Sequence, residues 1–190
     1  MVRTFIVYVA DHPGVLNRVS SLFRRRGYNI ESLTVGHTHQ PGVSRMTVVV
    51  AIDEVGAPLV MANLYKLAEV VRVDDITAVP SVHRELVIAK IAVTESTREK
   101  LRRLLDSVGA RTLESGDESL VIEATGTEES INTLIEAISP FGILELTRTG
   151  RVAMTSAHTP AVSWISAQDQ GQQAPLWNQN HTADLPRNCS

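Results

Sequence analysis

The sequence predicts an α+β protein built from two tandem β-α-β-β-α-β modules, followed by a flexible tail. Three observations carry this prediction. Residues 1–80 and 84–154 present the same order of apolar runs and amphipathic stretches, although the two halves share almost no identity. Glycine and proline fall at the joints of each half, where a chain must turn. After about Met154 the periodicity stops. Two repeats are too few for a solenoid, so each half must close its own core.

In the first half, Thr4 to Ala10 is an apolar β run with Phe5, Val7 and Val9 on one face and Ile6, Tyr8 and Ala10 on the other. Both faces are coverable, which places this strand centrally. Asp11-His12-Pro13-Gly14 breaks it, Pro13 by removing an N–H and Gly14 by permitting a tight turn. Val15, Leu16, Val19, Leu22 and Phe23 then form one helical stripe. Arg24 to Arg26 complement the carbonyl end of that helix, and Gly27 stops it. Tyr28 to Val35 reads as a strand whose alternation slips between Ile30 and Leu33, the mark of a bulge. Ser44 to Ile52 alternates cleanly, with Met46, Val48, Val50 and Ile52 on one face. Pro58 suits the first turn of a second helix with the stripe Met61, Leu64, Leu67 and Ala68, and Val70 to Val79 supplies the fourth strand.

Pro80 to His83 reads as a short polar joint, after which the order repeats. Leu86 to Val93 is a strand. Ser96-Thr97-Arg98-Glu99 has the form of a capping box, opening a helix with the stripe Leu101, Leu104, Leu105 and Val108. Ala110 to Glu114 and Leu120 to Ala124 flank a turn at Ser115 to Glu118 as a hairpin. Thr127 caps a helix carrying Ile131, Leu134, Ile135 and Ile138, Pro140 ends it, and Phe141 to Thr147 is the last strand. This is the split β-α-β arrangement of ferredoxin-like domains, twice over. Residues 155–190 are rich in Gln and Asn and carry three prolines, a composition that cannot bury enough apolar surface to offset ordering. Disorder is expected there, with Trp164 and Trp177 as isolated aromatics.

Composition narrows the function. The 190 residues carry 43% apolar but only 4% aromatic side chains, so Val, Ile, Leu and Ala must do the packing. A net charge of −3 argues against a general polyanion binder, and no aromatic RNP pattern marks an RNA-binding sheet. The lone Cys189 excludes a disulfide framework within one chain and favours a reducing compartment. No apolar run reaches the roughly 18 residues of a membrane span, and the chain enters a strand without a leader, so a soluble cytoplasmic protein is expected. His37-Thr38-His39 lacks further metal ligands nearby and reads as a polar loop. Asp53-Glu54 and Asp74-Asp75 read as strand-end and turn carboxylates rather than an acid–base couple, and no Gly-x-Ser-x-Gly elbow supports a serine nucleophile.

The run GVLNRVSSLFRRRGYNIESLTVG, with SRMTVVV at Ser44 to Val50, closely resembles the regulatory (small) subunit family of acetolactate synthase. The likeness continues through Lys66-Leu67, Val70 to Val73, Arg84-Glu85-Leu86, LVIEATG at Leu120 to Gly126 and PFGILELTRTG at Pro140 to Gly150. It implies that residues 1–80 are an ACT domain, a ferredoxin-like amino-acid sensor that pairs with a second copy and binds valine at the seam. It implies that residues 84–154 are the C-terminal module associated with activating the large catalytic subunit. Thiamine diphosphate, magnesium and a flavin (FAD) would belong to that catalytic partner, leaving no cofactor and no catalytic residue in this chain. The resemblance puts the effector loop on Asp11, Gly14, Val15 and Leu16, with Asn29 and Ile30 closing the site from the neighbouring chain. Many members have asparagine in place of Asp11, and the carboxylate here would attract a ligand's ammonium and repel its carboxylate.

The residue types suit that task. Backbone N–H groups at the start of a helix receive a carboxylate, Asp11 or a strand carbonyl receives an ammonium, and Asn29 offers both a donor and an acceptor. Branched apolar walls select a branched ligand, though one methylene is worth only ~1–3 kcal/mol of discrimination. Two other classes stay open on the residues: a stand-alone ACT sensor acting on another enzyme or a transcription factor, and an enzyme in its own right.

Overall fold

The protein is described here from a computed structural model over residues 1–159. The expected disorder of the tail, with Trp164 and Trp177, lies in residues outside that range from 160 onward. Within the range, hydrogen bonds continue past the last strand: the Ser156 N–H donates to the Pro80 carbonyl at 2.8 Å.

The first module is β1 (Val2–Ala10), α1 (Val15–Arg25), β2 (Ile30–His37), β3 (Val43–Ala51), α2 (Gly56–Leu64) and β4 (Val70–Asp75). Its antiparallel sheet runs β2-β3-β1-β4, so the apolar first strand is internal, as its two-faced pattern predicts. Phe5, Val7 and Val9 meet Val19, Leu22 and Phe23 of α1 and Val60 and Leu64 of α2 in one core. Each such side chain contributes roughly 1.5–3 kcal/mol by leaving water. Ile6 lies under the opposite cover with Ile76 and Ala153. The predicted bulge in β2 occurs between Ile30 and Ser32, where the pairing with β3 shifts.

The second module repeats the plan with β5 (Ser81–Ala92), α3 (Glu95–Val108), β6 (Arg111–Ser115), β7 (Ser119–Gly126), α4 (Glu128–Ile138) and β8 (Ile143–Arg148). Its sheet runs β6-β7-β5-β8, the same order as the first. Val87, Ala89 and Ile91 pack against Leu101, Leu105, Ile131 and Ile138 of the helices. A further strand, β9 (Val152–Thr155), pairs with Ser81–Arg84 at the start of β5.

Several boundaries differ from the sequence reading. The segment expected as a polar joint is strand from Ser81, because β9 supplies its partner. β4 ends at Asp75, where Asp75 Oδ1 accepts from the Thr77 N–H and turns the chain. α2 ends at Leu64, so Ala68 lies beyond the helix and its buried stripe is Ala57, Val60 and Leu64. The α3 cap is Thr94, two residues before Ser96, with Thr97 reciprocating, and Val108 on that helix is exposed.

The two outer edges of the first sheet are not equivalent. The Tyr65 hydroxyl donates to the Val73 carbonyl at 3.2 Å and accepts the Val73 N–H at 3.0 Å, occupying the middle of the β4 edge. An edge treated this way does not template another strand. Tyr65→Phe removes both bonds and is expected to cost about 2 kcal/mol, roughly 1 kcal/mol for each. Thermal unfolding checks the cost, and light scattering should show greater association of the variant as the edge opens.

Candidate functional site

β1 ends at Ala10 and the chain turns through Asp11 to Gly14. Gly14 has φ +88, a backbone region open to glycine, and stands at the N-cap of α1 with no side chain capping the helix. The first turn of α1 thus presents the positive end of the helix dipole without a side-chain cap. Val15 is buried in the core and its N–H already donates to the His12 carbonyl at 3.4 Å, whereas Leu16 is exposed. Asp11 accepts from Ser44 Oγ at 3.1 Å, and its other oxygen lies 3.2 Å from His37 Nδ1. Arg18, one turn into α1, pairs with Glu69 from the approach to β4. Ser44, His37 and Glu69 carried no signal in the sequence, since strand pairing alone brings them to the turn.

Asn29 and Ile30 are elsewhere. Ile30 pairs with Val50, which also pairs with Arg3, while Ala10 pairs with Val43 at the other end of the sheet. Seven residue steps along β1 separate these rows, roughly 24 Å at ~3.4 Å per residue. Within one chain, Asn29 and Ile30 cannot share a small ligand with Asp11, Gly14, Val15 and Leu16.

A second concave region, a cleft of ≈ 460 Å³, runs between the modules and is lined by Ser32, Glu85, Glu128, Arg148, Gly150 and Arg151 among others. Two ion pairs cross it: Arg148 donates to the buried Glu85 at 2.5 and 3.1 Å and to Asn132 at 2.9 Å, and Arg151 pairs with Glu128 at 2.7 Å. Nearby, burial and then the Arg151 guanidinium push the His83 imidazole below its usual pKa. The ring is therefore neutral at neutral pH, with Ser81 Oγ 2.6 Å from Nε2.

Other polar features have structural partners. Arg26, last of the arginine triplet, donates to Asn63 at 3.2 Å, and Gly27 with φ +72 follows it. Asp53 accepts the Gly56 N–H at 2.7 Å at the start of α2, Asp74 pairs with Arg72, and Asp75 pairs with Arg3. Among the described residues there is no group of three or more His, Cys, Asp or Glu placed to hold a metal ion. No helix among them is long and apolar enough to cross a membrane.

Two βαββαβ modules, the first with an uncapped glycine turn at a strand end, define the class: an α+β protein of the ACT-like fold. Residues 5–72 match the model of the AHAS small subunit-like ACT domain, and residues 84–157 match that of the small subunit of acetolactate synthase. The chain belongs to the acetolactate synthase small-subunit family. It is 43% identical over 154 residues to the probable acetolactate synthase small subunit of Archaeoglobus fulgidus, covering 81% of this chain and 96% of that one. It is 40% identical over 149 residues to the small subunit of Aquifex aeolicus, covering 78% of each chain. Among solved structures, the acetolactate synthase small subunit from Thermotoga maritima superposes with a TM-score of 0.78 at 29% identity, over 84% of this chain and 99% of that chain.

Proposed function

We propose that this chain activates the catalytic subunit of acetolactate synthase and conveys feedback inhibition by valine and related branched-chain amino acids. The observation that carries the reading is the separation of the candidate site residues to opposite ends of one sheet. A ligand that uses both sets needs two chains, and β2 is the free edge along which a second chain can join, since Tyr65 occupies the other. Antiparallel pairing of β2 with its own copy about a two-fold axis near Leu33 would carry Asn29 and Ile30 of the partner subunit to the His37 end, where Asp11 lies.

In that arrangement the α1 amides receive the amino acid's carboxylate, and Asp11 or the Ala10 strand end receives its ammonium. Leu16 and Ile30 of the partner subunit would flank the side chain. Asp11 is already engaged by Ser44 and His37, which hold its two carboxylate oxygens. Effector binding favours one relative arrangement of chains only to the extent that it binds that arrangement more tightly. The condensation chemistry, with its thiamine diphosphate, magnesium and flavin, is assigned to the catalytic subunit, and the complex to the cytoplasm.

Reconstitution tests this directly. The chain mixed with an acetolactate synthase large subunit should raise acetolactate formation from pyruvate, and added valine should lower it again. A chain that leaves the large subunit's rate unchanged in both conditions would fit the stand-alone sensor and exclude this reading.

A further inference from the structure

β2 meets the second module only two residues beyond Ile30. Ser32 Oγ accepts the Arg151 N–H at 3.0 Å, and Thr34 Oγ1 donates to the Thr149 and Arg151 carbonyls at 3.2 and 3.4 Å. Gly150 lies between these bonds with φ +74, and a Cβ built on it would overlap Ser32 Oγ and come within 3.0 Å of Ser32 Cβ. Left-handed backbone and the absence of room for a methyl make this a close-packed joint, not a surface turn.

Both sides of the joint are constrained. On the far side, the residues flanking Thr149-Gly150 are tied down by Arg148 to Glu85 and Asn132, and by Arg151 to Thr4 and Glu128. On the near side, β2 is an edge strand whose one strand partner within the described residues is β3, and its bulge falls between Ile30 and Ser32. The other edge, β4, is pinned by Tyr65. β2 thus links the Ile30 position to the second module, and it has no slack where it meets Gly150. Packed joints of this kind pass a small displacement on rather than absorbing it.

We infer that the joint of Ser32 and Thr34 with Thr149-Gly150-Arg151 is the element through which effector occupancy at Ile30 reaches the second module. Ser32, Thr34 and Gly150 are positioning residues of the regulatory response: they touch no effector, and they set where β8 and α4 stand relative to β2. The inference rests on the regulatory reading given above.

The test uses the full chain reconstituted with the catalytic subunit. Wild type, a Ser32→Ala/Thr34→Val double variant and Gly150→Ala are compared. Valine binding to the small subunit is followed by calorimetry, and the synthase rate is measured without valine and at saturation. The double variant should bind valine within about twofold of wild type and still activate, while its maximal inhibition shrinks by about threefold or more. Gly150→Ala should act in the same direction. The double variant removes three hydrogen bonds without adding bulk, so it decides the matter if Gly150→Ala does not fold. Full inhibition in the folded double variant overturns the joint's role, as does a loss of inhibition that only follows a loss of valine binding. A wild-type chain that binds no valine sinks the regulatory reading itself, and the joint's role with it.

Discussion

Replacing Gly14 with Asp is expected to raise the valine concentration for half-inhibition by about 30-fold or more, with activation of the catalytic subunit retained. The effect has two sources with different sizes. A carboxylate at this position faces the amides proposed to receive the ligand's own carboxylate, and juxtaposed like charges cost several kcal/mol. About 2 kcal/mol of that suffices for a 30-fold loss. The fold suffers less. A Cβ on Gly14 meets nothing within 4 Å, so the cost is that of a non-glycine residue at φ +88, about 1 kcal/mol for Asp, which tolerates left-handed backbone. Inhibition titrations with the reconstituted synthase and a thermal melt of the isolated chain separate the two terms. An unchanged titration in a well-folded variant would remove Gly14 from the site.

Arg148→Ala should produce the largest loss of stability, about 3 kcal/mol, because it strands the buried Glu85 without its partner. For a chain of this size the melting temperature should fall by about 6–12 °C. The control is the double variant Glu85→Leu/Arg148→Leu, which removes both charges and should be more stable than Arg148→Ala alone. A single variant within about 2 °C of wild type would mean that water already reaches the pair and screens it.

The core of each module was legible because helix and strand periods are local properties. Phe5, Val7 and Val9 alternate, Val15, Val19, Leu22 and Phe23 recur with the helical period, and the structure buries all of them, while Leu16 from the same predicted stripe is exposed at the edge of that face. What escaped depends on partners distant in the chain. Ser81 to Arg84 is polar enough to pass for a joint and becomes strand only because β9 lies beside it. β9 itself is four residues long, too short for alternation to register. At α3, Ser96 and Glu99 matched a capping pattern, but Thr94 is where the backbone leaves the strand, and Thr97 answers it. The candidate site divides the same way. Gly14 announced its turn through residue type alone. The clustering of Asp11 with His37 and Ser44, and the distance from Asp11 to Ile30, are products of register.

The returning strand β9 makes the two modules interleaved rather than sequential. Ala153, near the end of the second module, is part of the cover over Ile6 and Ile76 of the first, and Arg45 of the first donates to the Ala153 carbonyl. A fragment cut at residue 80 would therefore carry the whole Asp11–Gly14 turn yet lose the lid on one face of its own sheet. Exchanging first modules between relatives must take residues 150–155 along with the first eighty or leave that face open.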